Sequence, residues 1–207
     1  MSQIMLSRKQ LKQKEKEDRT LEIYDKALKL FLKEGYDNTP MSRIAEVLGM
    51  SKAGLYYYCT SKENLLFLIH KDYLERNFIP LIDEAEKIDD PKERLCSYLR
   101  NYAKLFTNNP APRVLVHEVH RLDKKHQDYI KAIWKRTFRL IRKAINELQK
   151  KGDARMFRDS FVSFMAIGMC CWTYYWYDYG RPSTGDELAD TLVKLFFKGI
   201  EKGNYVK

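Results

Sequence analysis

Around a single glycine, the stretch TPMSRIAEVLGMSKAGLYYY, Thr39 to Tyr58, packs two short segments of helical spacing. Thr39 followed by Pro40 reads as an N-cap with proline at the first helical position. Ile44, Ala45 and Leu48 then give the inner face of a short helix, and Gly49 suits a tight turn. Ser51 caps a second short helix anchored by Leu55, and Ser61 caps a third, longer one with Glu63 in its first turn. Upstream, Ile23, Ala27, Leu30 and Phe31 recur at helical spacing from about Thr20 to Glu34, where Gly35 supplies C-cap chemistry. Two short helices on a tight turn form a helix-turn-helix. No alternating apolar–polar run bounded by hairpin turns occurs, so the expected fold class is all-α.

The outward positions of the second short helix are Ser51, Lys52, Ala53, Gly54, Tyr56 and Tyr57. They are small, basic or phenolic, with no acid among them. Small residues let a backbone approach a groove, and Lys and Tyr reach phosphate oxygens or base edges. Tyr58 is expected to pack inward. The net charge of +10 fits a polyanionic partner, but the excess is unevenly placed. Residues 1–63 hold 12 Lys/Arg against 9 acids, whereas residues 113–158 hold 14 against 5. The basic segment 1–19 reads as a solvated, frayed extension of the first helix, with a DNA-reaching arm as the alternative.

The elements in TPMSRIAEVLGMSKAGLYYYCTSKENLL, extended back through IYDKALKLFLKEGYDNT, resemble the DNA-binding region of the TetR/AcrR family of transcriptional repressors. The resemblance covers about residues 20–66. Cys59 and Thr60 depart from it, standing where phenylalanine and proline are common. It implies contacts to double-stranded DNA, as a pseudo-palindromic operator, from Thr39, Ser42 and Arg43 and from Ser51, Lys52, Ala53, Gly54, Tyr56 and Tyr57. Lys62 would pair with phosphate at a helix start. It also implies three parts: a basic extension over 1–19, a three-helix DNA-binding domain over 20–66, and a larger helical ligand-binding and dimerisation domain over 67–207.

In that larger part the expected helices are Leu65–Lys87, Pro91–Thr107, Ala111–Leu122, Lys125–Lys151, Phe157–Tyr179 and Gly185–Lys202. The resemblance implies a homodimer through the last two. Leu192, Phe196 and Ile200 lie along one helical stripe and are the expected interface. Residues 160–177 carry no charge; burial on both sides explains this better than a membrane span.

GMCCWTYYWYDYGRP, Gly168 to Pro182, and HEVHRLDKKH are similar to a subset of these regulators that control acyl-CoA degradation. An acyl-CoA joins an apolar chain to a multiply charged head. Arg139 and Arg142, from the basic surplus, would meet the phosphates. Phe106, Trp134, Phe138, Phe164, Met165, Met169 and Trp172 would line a slot for the tail. Two other readings stand beside this one. One is an efflux-type repressor of aromatic or cationic compounds, which needs acids in its pocket. The other is an acyl-CoA or lipid carrier without operator specificity.

His117 and His120 flank Glu118, but HEVH lacks zinc-protease spacing and His126 is further along the chain; no metal is expected. No phosphate loop, nucleophile elbow or isolated carboxylate pair appears, so neither a cofactor nor an enzyme is expected. Four cysteines without a C-x-x-C pair, and no apolar signal core near the start, suit a reduced cytoplasmic setting.

Overall fold

The computed structural model describes residues 8–177 and 184–201. Helices account for almost all of the regular structure there, the exception being a lone antiparallel bridge between Ala154 and Glu201. The chain divides into two compact units, with the boundary between His70 and Lys71 inside a helix. That lies slightly beyond the boundary expected from sequence.

In the first unit, helix α1 spans Arg8–Glu34, α2 Met41–Val47, α3 Lys52–Tyr56, and α4 begins at Lys62 and runs to Tyr73. The basic extension is continuous with the first helix from Arg8 onward and its residues up to Asp18 are exposed, in keeping with a solvated extension of that helix. Ile23, Ala27 and Phe31 of α1 are buried together with Ile44 and Ala45 of α2, Leu55 of α3 and Leu65 and Leu66 of α4. The turn after α2 is a Schellman motif: Met50 N–H donates to Ala45 O (3.0 Å) and Gly49 N–H to Glu46 O (3.0 Å). Gly49 sits at φ +62°, a left-handed conformation that glycine adopts without steric cost. Ser51 Oγ accepts from Gly54 N (3.0 Å) and Ser61 Oγ from Asn64 N (2.9 Å), as expected for the caps.

The cap of α2 differs from expectation. Pro40 is the N-cap, with extended backbone, and α2 starts one residue later. Thr39 is fully buried, and its hydroxyl donates back to Gly35 O (2.7 Å), closing the loop after α1.

In the second unit, the helix expected over Leu65–Lys87 is interrupted by a π-turn, Leu74–Phe78, before α5, Ile79–Glu86. Pro80 is the cause. It has no N–H for the carbonyl four residues back, so the ladder widens and Ile79 N–H reaches Leu74 O instead. Asn77 Nδ2 donates to Tyr73 O (2.9 Å), filling one of the bonds that the distortion disturbs. Helix α6 is Pro91–Thr107, as expected, with Asp90 capping it. The segment Ala111–Leu122 divides into α7, Ala111–Leu115, and a 3₁₀ turn, His117–Arg121. Helix α8 is Lys124–Lys151 and is closed by Gly152.

The last expected pair becomes α9, Asp159–Cys171, the short α10, Thr173–Trp176, and α11, Thr184–Ile200. The expected ends at Tyr179 and Lys202, and the GRPST turn from Gly180 to Thr184, lie wholly or partly outside the described residues. Helix α6 packs against α8, α9 and α11 and forms the centre of the unit. Its Tyr98 and Tyr102 rings stack 5.5 Å apart, and Phe78 and Phe106 meet Tyr102 edge-on. The α6–α8 contact is also pinned by an ion pair between buried Arg94 and Glu147.

Candidate nucleic-acid interface and ligand cavity

On the first unit, Ser42 of α2 and Ser51, Lys52, Ala53, Tyr56 and Tyr57 in and around α3 are all exposed, and Gly54 is half-buried. A side chain at Gly54 would crowd the cap, since a Cβ there would lie 3.3 Å from Ser51 Oγ. Tyr57 is 70% exposed, an unusual setting for a large ring, while Tyr58 is half-buried and meets it edge-on. Lys16 lies 5.1 Å from the Tyr57 ring centre and Lys52 6.0 Å from that of Tyr56. The outward face is thus phenolic and cationic, as the sequence suggested.

Three of the expected contact residues are otherwise engaged. Thr39 is buried, as described. Arg43 pairs with Glu46 (3.0 Å) and Glu34 (3.3 Å), which hold its guanidinium in the charged form. Lys62 Nζ donates to Tyr36 O (2.6 Å) and lies over the Tyr36 ring, tying the start of α4 to the loop after α1. Arg19, one of the basic residues of the extension, donates to Leu48 O (2.9 Å) and so braces the turn before α3. Cys59 is buried, with its Sγ 3.6 Å from Leu55 O, and burial pushes its thiol up to about 11; it packs rather than reacts.

On the second unit, a cavity of about 430 Å³ opens between α6, α8 and α9. Phe78, Tyr102 and Phe106 form one wall, Trp134, Thr137 and Phe138 of α8 another, and Phe164, Ile167 and Cys171 of α9 a third. The Thr137 and Tyr102 hydroxyls in these walls find partners within the unit. Tyr98 Oη and Thr137 Oγ1 are 2.7 Å apart, and Tyr102 Oη and Cys171 Sγ 3.0 Å. Burial pushes the Cys171 thiol up to about 11. What remains for a guest is hydrocarbon, with Lys131 and Lys135 also bordering the space. No acid lines it among the described residues.

Of the residues expected to line a slot, Phe106, Trp134, Phe138 and Phe164 are brought together here. Met165, Met169 and Trp172 are not; they are exposed outside the cavity. The expected phosphate ligands also move. Arg142 shares the Lys131–Lys135–Phe138 stripe of α8 but lies further along it, where Asp159 takes its guanidinium (2.9 Å). Arg139 turns away, toward Arg136 and Lys143. Lys131 and Lys135 are the basic residues that border the cavity. Their spacing with Trp134 and Phe138, one turn apart on one helix face, is the signal that could have found them.

The expected dimer stripe is also corrected. Leu192, Phe196 and Ile200 are 5%, 5% and 8% exposed and pack into the unit's own core. The outward face of α11 carries Thr191, Leu195 and Gly199 instead, with Leu195 60% exposed. On α9 and just past its end, Phe161, Met165, Gly168 and Trp172 recur at helical spacing and are all exposed. Gly168 and Gly199 have open space where a side chain would stand.

His120 Nδ1 is 2.9 Å from His117 O on the 3₁₀ turn, and Glu118 pairs with Arg121 (2.8 Å). No helix among the described residues is long and apolar enough to cross a membrane.

Two family profiles cover most of the chain. One described as bacterial regulatory proteins, tetR family, matches residues 23–69. Another, described as tetracyclin repressor-like, C-terminal domain, matches residues 88–200. The HTH-type transcriptional regulator HbdR of Aromatoleum sp. (strain CIB) is 26% identical over 182 residues, 86% of this chain and 80% of that one. Among solved structures, AibR in complex with isovaleryl coenzyme A and operator DNA is 28% identical, with a TM-score of 0.79 over 86% of this chain and 98% of that one. The regulator PfmR from Thermus thermophilus is 26% identical, with a TM-score of 0.80 over 87% and 99%. With the helix-turn-helix and the helical second unit both matched, this chain belongs to the TetR family of DNA-binding transcriptional regulators and is not an enzyme.

Proposed function

We propose that the chain is a dimeric repressor released from its operator by an acyl-CoA. The observation that carries this is the cavity of about 430 Å³: apolar walls, two bordering lysines and no acid among the described lining residues. Its size falls within the usual range for ligand pockets, about 300–1,000 Å³. The acyl chain would lie among Phe106, Trp134, Phe138 and Phe164, and Lys131 and Lys135 would face the phosphates of the head. The solved complex of AibR with isovaleryl coenzyme A supports the ligand class. A cation-sensing pocket would need an acid to neutralise its guest, so the lining disfavours the efflux reading.

At the DNA, α3 would enter the major groove with Lys52, Tyr56 and Tyr57 at the backbone and Ser51, Ala53 and Gly54 allowing close approach. Ser42 would flank them. Lys62 is assigned to holding the Tyr36 loop. Two subunits would join through Phe161, Met165, Gly168 and Trp172 on the α9 side and Leu195 of α11. The two glycines would let the helices approach closely, and the pair of α3 helices would sit about one DNA turn, ~34 Å, apart. Work on an operator places the protein in the cytoplasm.

Titration calorimetry tests the ligand. A medium- or long-chain acyl-CoA is expected to bind, with free CoA and the free fatty acid each at least about tenfold weaker, since each lacks one half of the contact. Equal binding of CoA and acyl-CoA would remove the cavity from the account.

A further inference from the structure

Helix α1 begins well before the three-helix core, and its first turns are not idle. Lys9, Lys12 and Lys16 recur at helical spacing and line one surface cleft, whose far wall is Tyr57 and Tyr58. All three lysines are exposed. Lys16 lies 5.1 Å from the centre of the Tyr57 ring, so the extension and the end of α3 share one surface. One turn beyond Lys16 on the same stripe, Arg19 is bonded to Leu48 O at the helix-turn-helix turn, which fixes the rotation of α1 about its axis. Glu15 stands at the cleft edge, while Glu17 and Asp18 lie on other faces of the helix. Gln13, also in the cleft, donates to Glu17 (2.7 Å).

We propose that this cleft is a second nucleic-acid contact: Lys9, Lys12 and Lys16 grip the sugar–phosphate backbone of duplex DNA just outside the half-site read by α3. Charge sign selects a polyanion. The lysine row lies along a helix, at about 1.5 Å per residue, so Lys9 and Lys16 are separated by about 10 Å along its axis. That span reaches successive phosphates of one strand, and the cleft is continuous with the α3 surface through Tyr57. Phenolic oxygen and ammonium groups are the usual partners of phosphate. The contact carries no sequence information; it lengthens the footprint and steepens the salt dependence. It rests on the reading that α3 meets DNA.

The test uses the full chain and a duplex selected in vitro for tight binding. One version is trimmed to the selected palindrome; the other carries about ten further base pairs on each side, roughly one turn. Binding is measured across a salt series for the native protein and for Lys9→Gln/Lys12→Gln/Lys16→Gln. Six phosphate contacts per dimer would contribute up to about 5 to the slope of log K against log salt. The variant is expected to lose much of that, and at least about tenfold in affinity at moderate salt, on the long duplex only. Lys14→Gln, on another face of α1, should change neither slope. Unchanged binding of the triple variant to the long duplex overturns the proposal, as does an equal loss on both duplexes. Circular dichroism establishes that the variant is folded; should it not be, Lys9→Gln/Lys12→Gln alone decides between the same outcomes. Failure of the native protein to bind even the trimmed palindrome would instead remove the α3 reading.

Discussion

Leu195→Glu is expected to give a folded monomer, and Phe196→Glu, one residue on, an unfolded chain. The two side chains lie on different faces of α11. Phe196 is 5% exposed, on a helix packed against α6 and α9, so a glutamate there removes a core aromatic and buries a carboxyl group without a partner. The loss of the ring alone costs about 3–5 kcal/mol, and the stranded polar group adds more. That consumes most of the ~5–15 kcal/mol by which a domain is stable. Leu195 is 60% exposed, so within one subunit the same change is worth only about 0.5 kcal/mol. In a dimer it places a charge against the apolar Phe161–Trp172 face and should split it. Sedimentation and circular dichroism separate the cases. The Leu195→Glu monomer should also bind operator about 10²- to 10⁴-fold more weakly, because its half-sites are no longer linked. An intact Leu195→Glu dimer would remove this face from the interface.

The second large effect lies at the cavity rim. Lys131→Glu/Lys135→Glu reverses both charges that border the apolar space. Each charge-assisted contact to phosphate is worth about 1.5–3 kcal/mol, so acyl-CoA affinity should fall by about 10²- to 10⁴-fold. Both lysines are exposed, so the fold should hold. The weak binding of a free fatty alcohol, which fills the walls but has no phosphates, should barely change. Arg139→Glu should leave acyl-CoA binding intact, since that side chain turns away from the cavity. Loss of acyl-CoA binding in Arg139→Glu but not in the lysine pair would restore the sequence-based assignment.

The contrast between these sites shows what the sequence could and could not convey. The helix-turn-helix was legible because its instructions are local. Ser51 and Ser61 cap the helices that follow them, and Gly49 takes the left-handed turn that its position demands. Helix α6 was legible for the same reason, with Asp90 and Pro91 marking its start. The break after Tyr73 was also written in the chain, at Pro80, but its effect falls several residues upstream, where the ladder loses a donor.

Orientation was harder. Leu192, Phe196 and Ile200 were recognisable as one stripe, yet periodicity cannot say whether a stripe faces its own core or a second subunit. On α11 Leu192, Phe196 and Ile200 turn inward, and Thr191, Leu195 and Gly199 lie outside. Arg142 illustrates a related gap. It shares a helix face with Lys135, but it lies further along α8, beyond the cavity lining, where Asp159 of another helix pairs with it. Thr39 was legible as a polar residue at a helix start, but its hydroxyl closes the preceding loop instead.

Acyl tail and CoA head together, and neither alone, should couple the cavity of the second unit to release of DNA. Fluorescence anisotropy of a labelled operator duplex, at fixed salt, measures this directly. A saturating medium- or long-chain acyl-CoA is expected to weaken operator binding by about 5- to 150-fold, a coupling of about 1–3 kcal/mol. Free CoA and the free acid should leave the binding curve nearly in place. The account is contradicted if a cationic dye releases the duplex while every acyl-CoA tested leaves it bound.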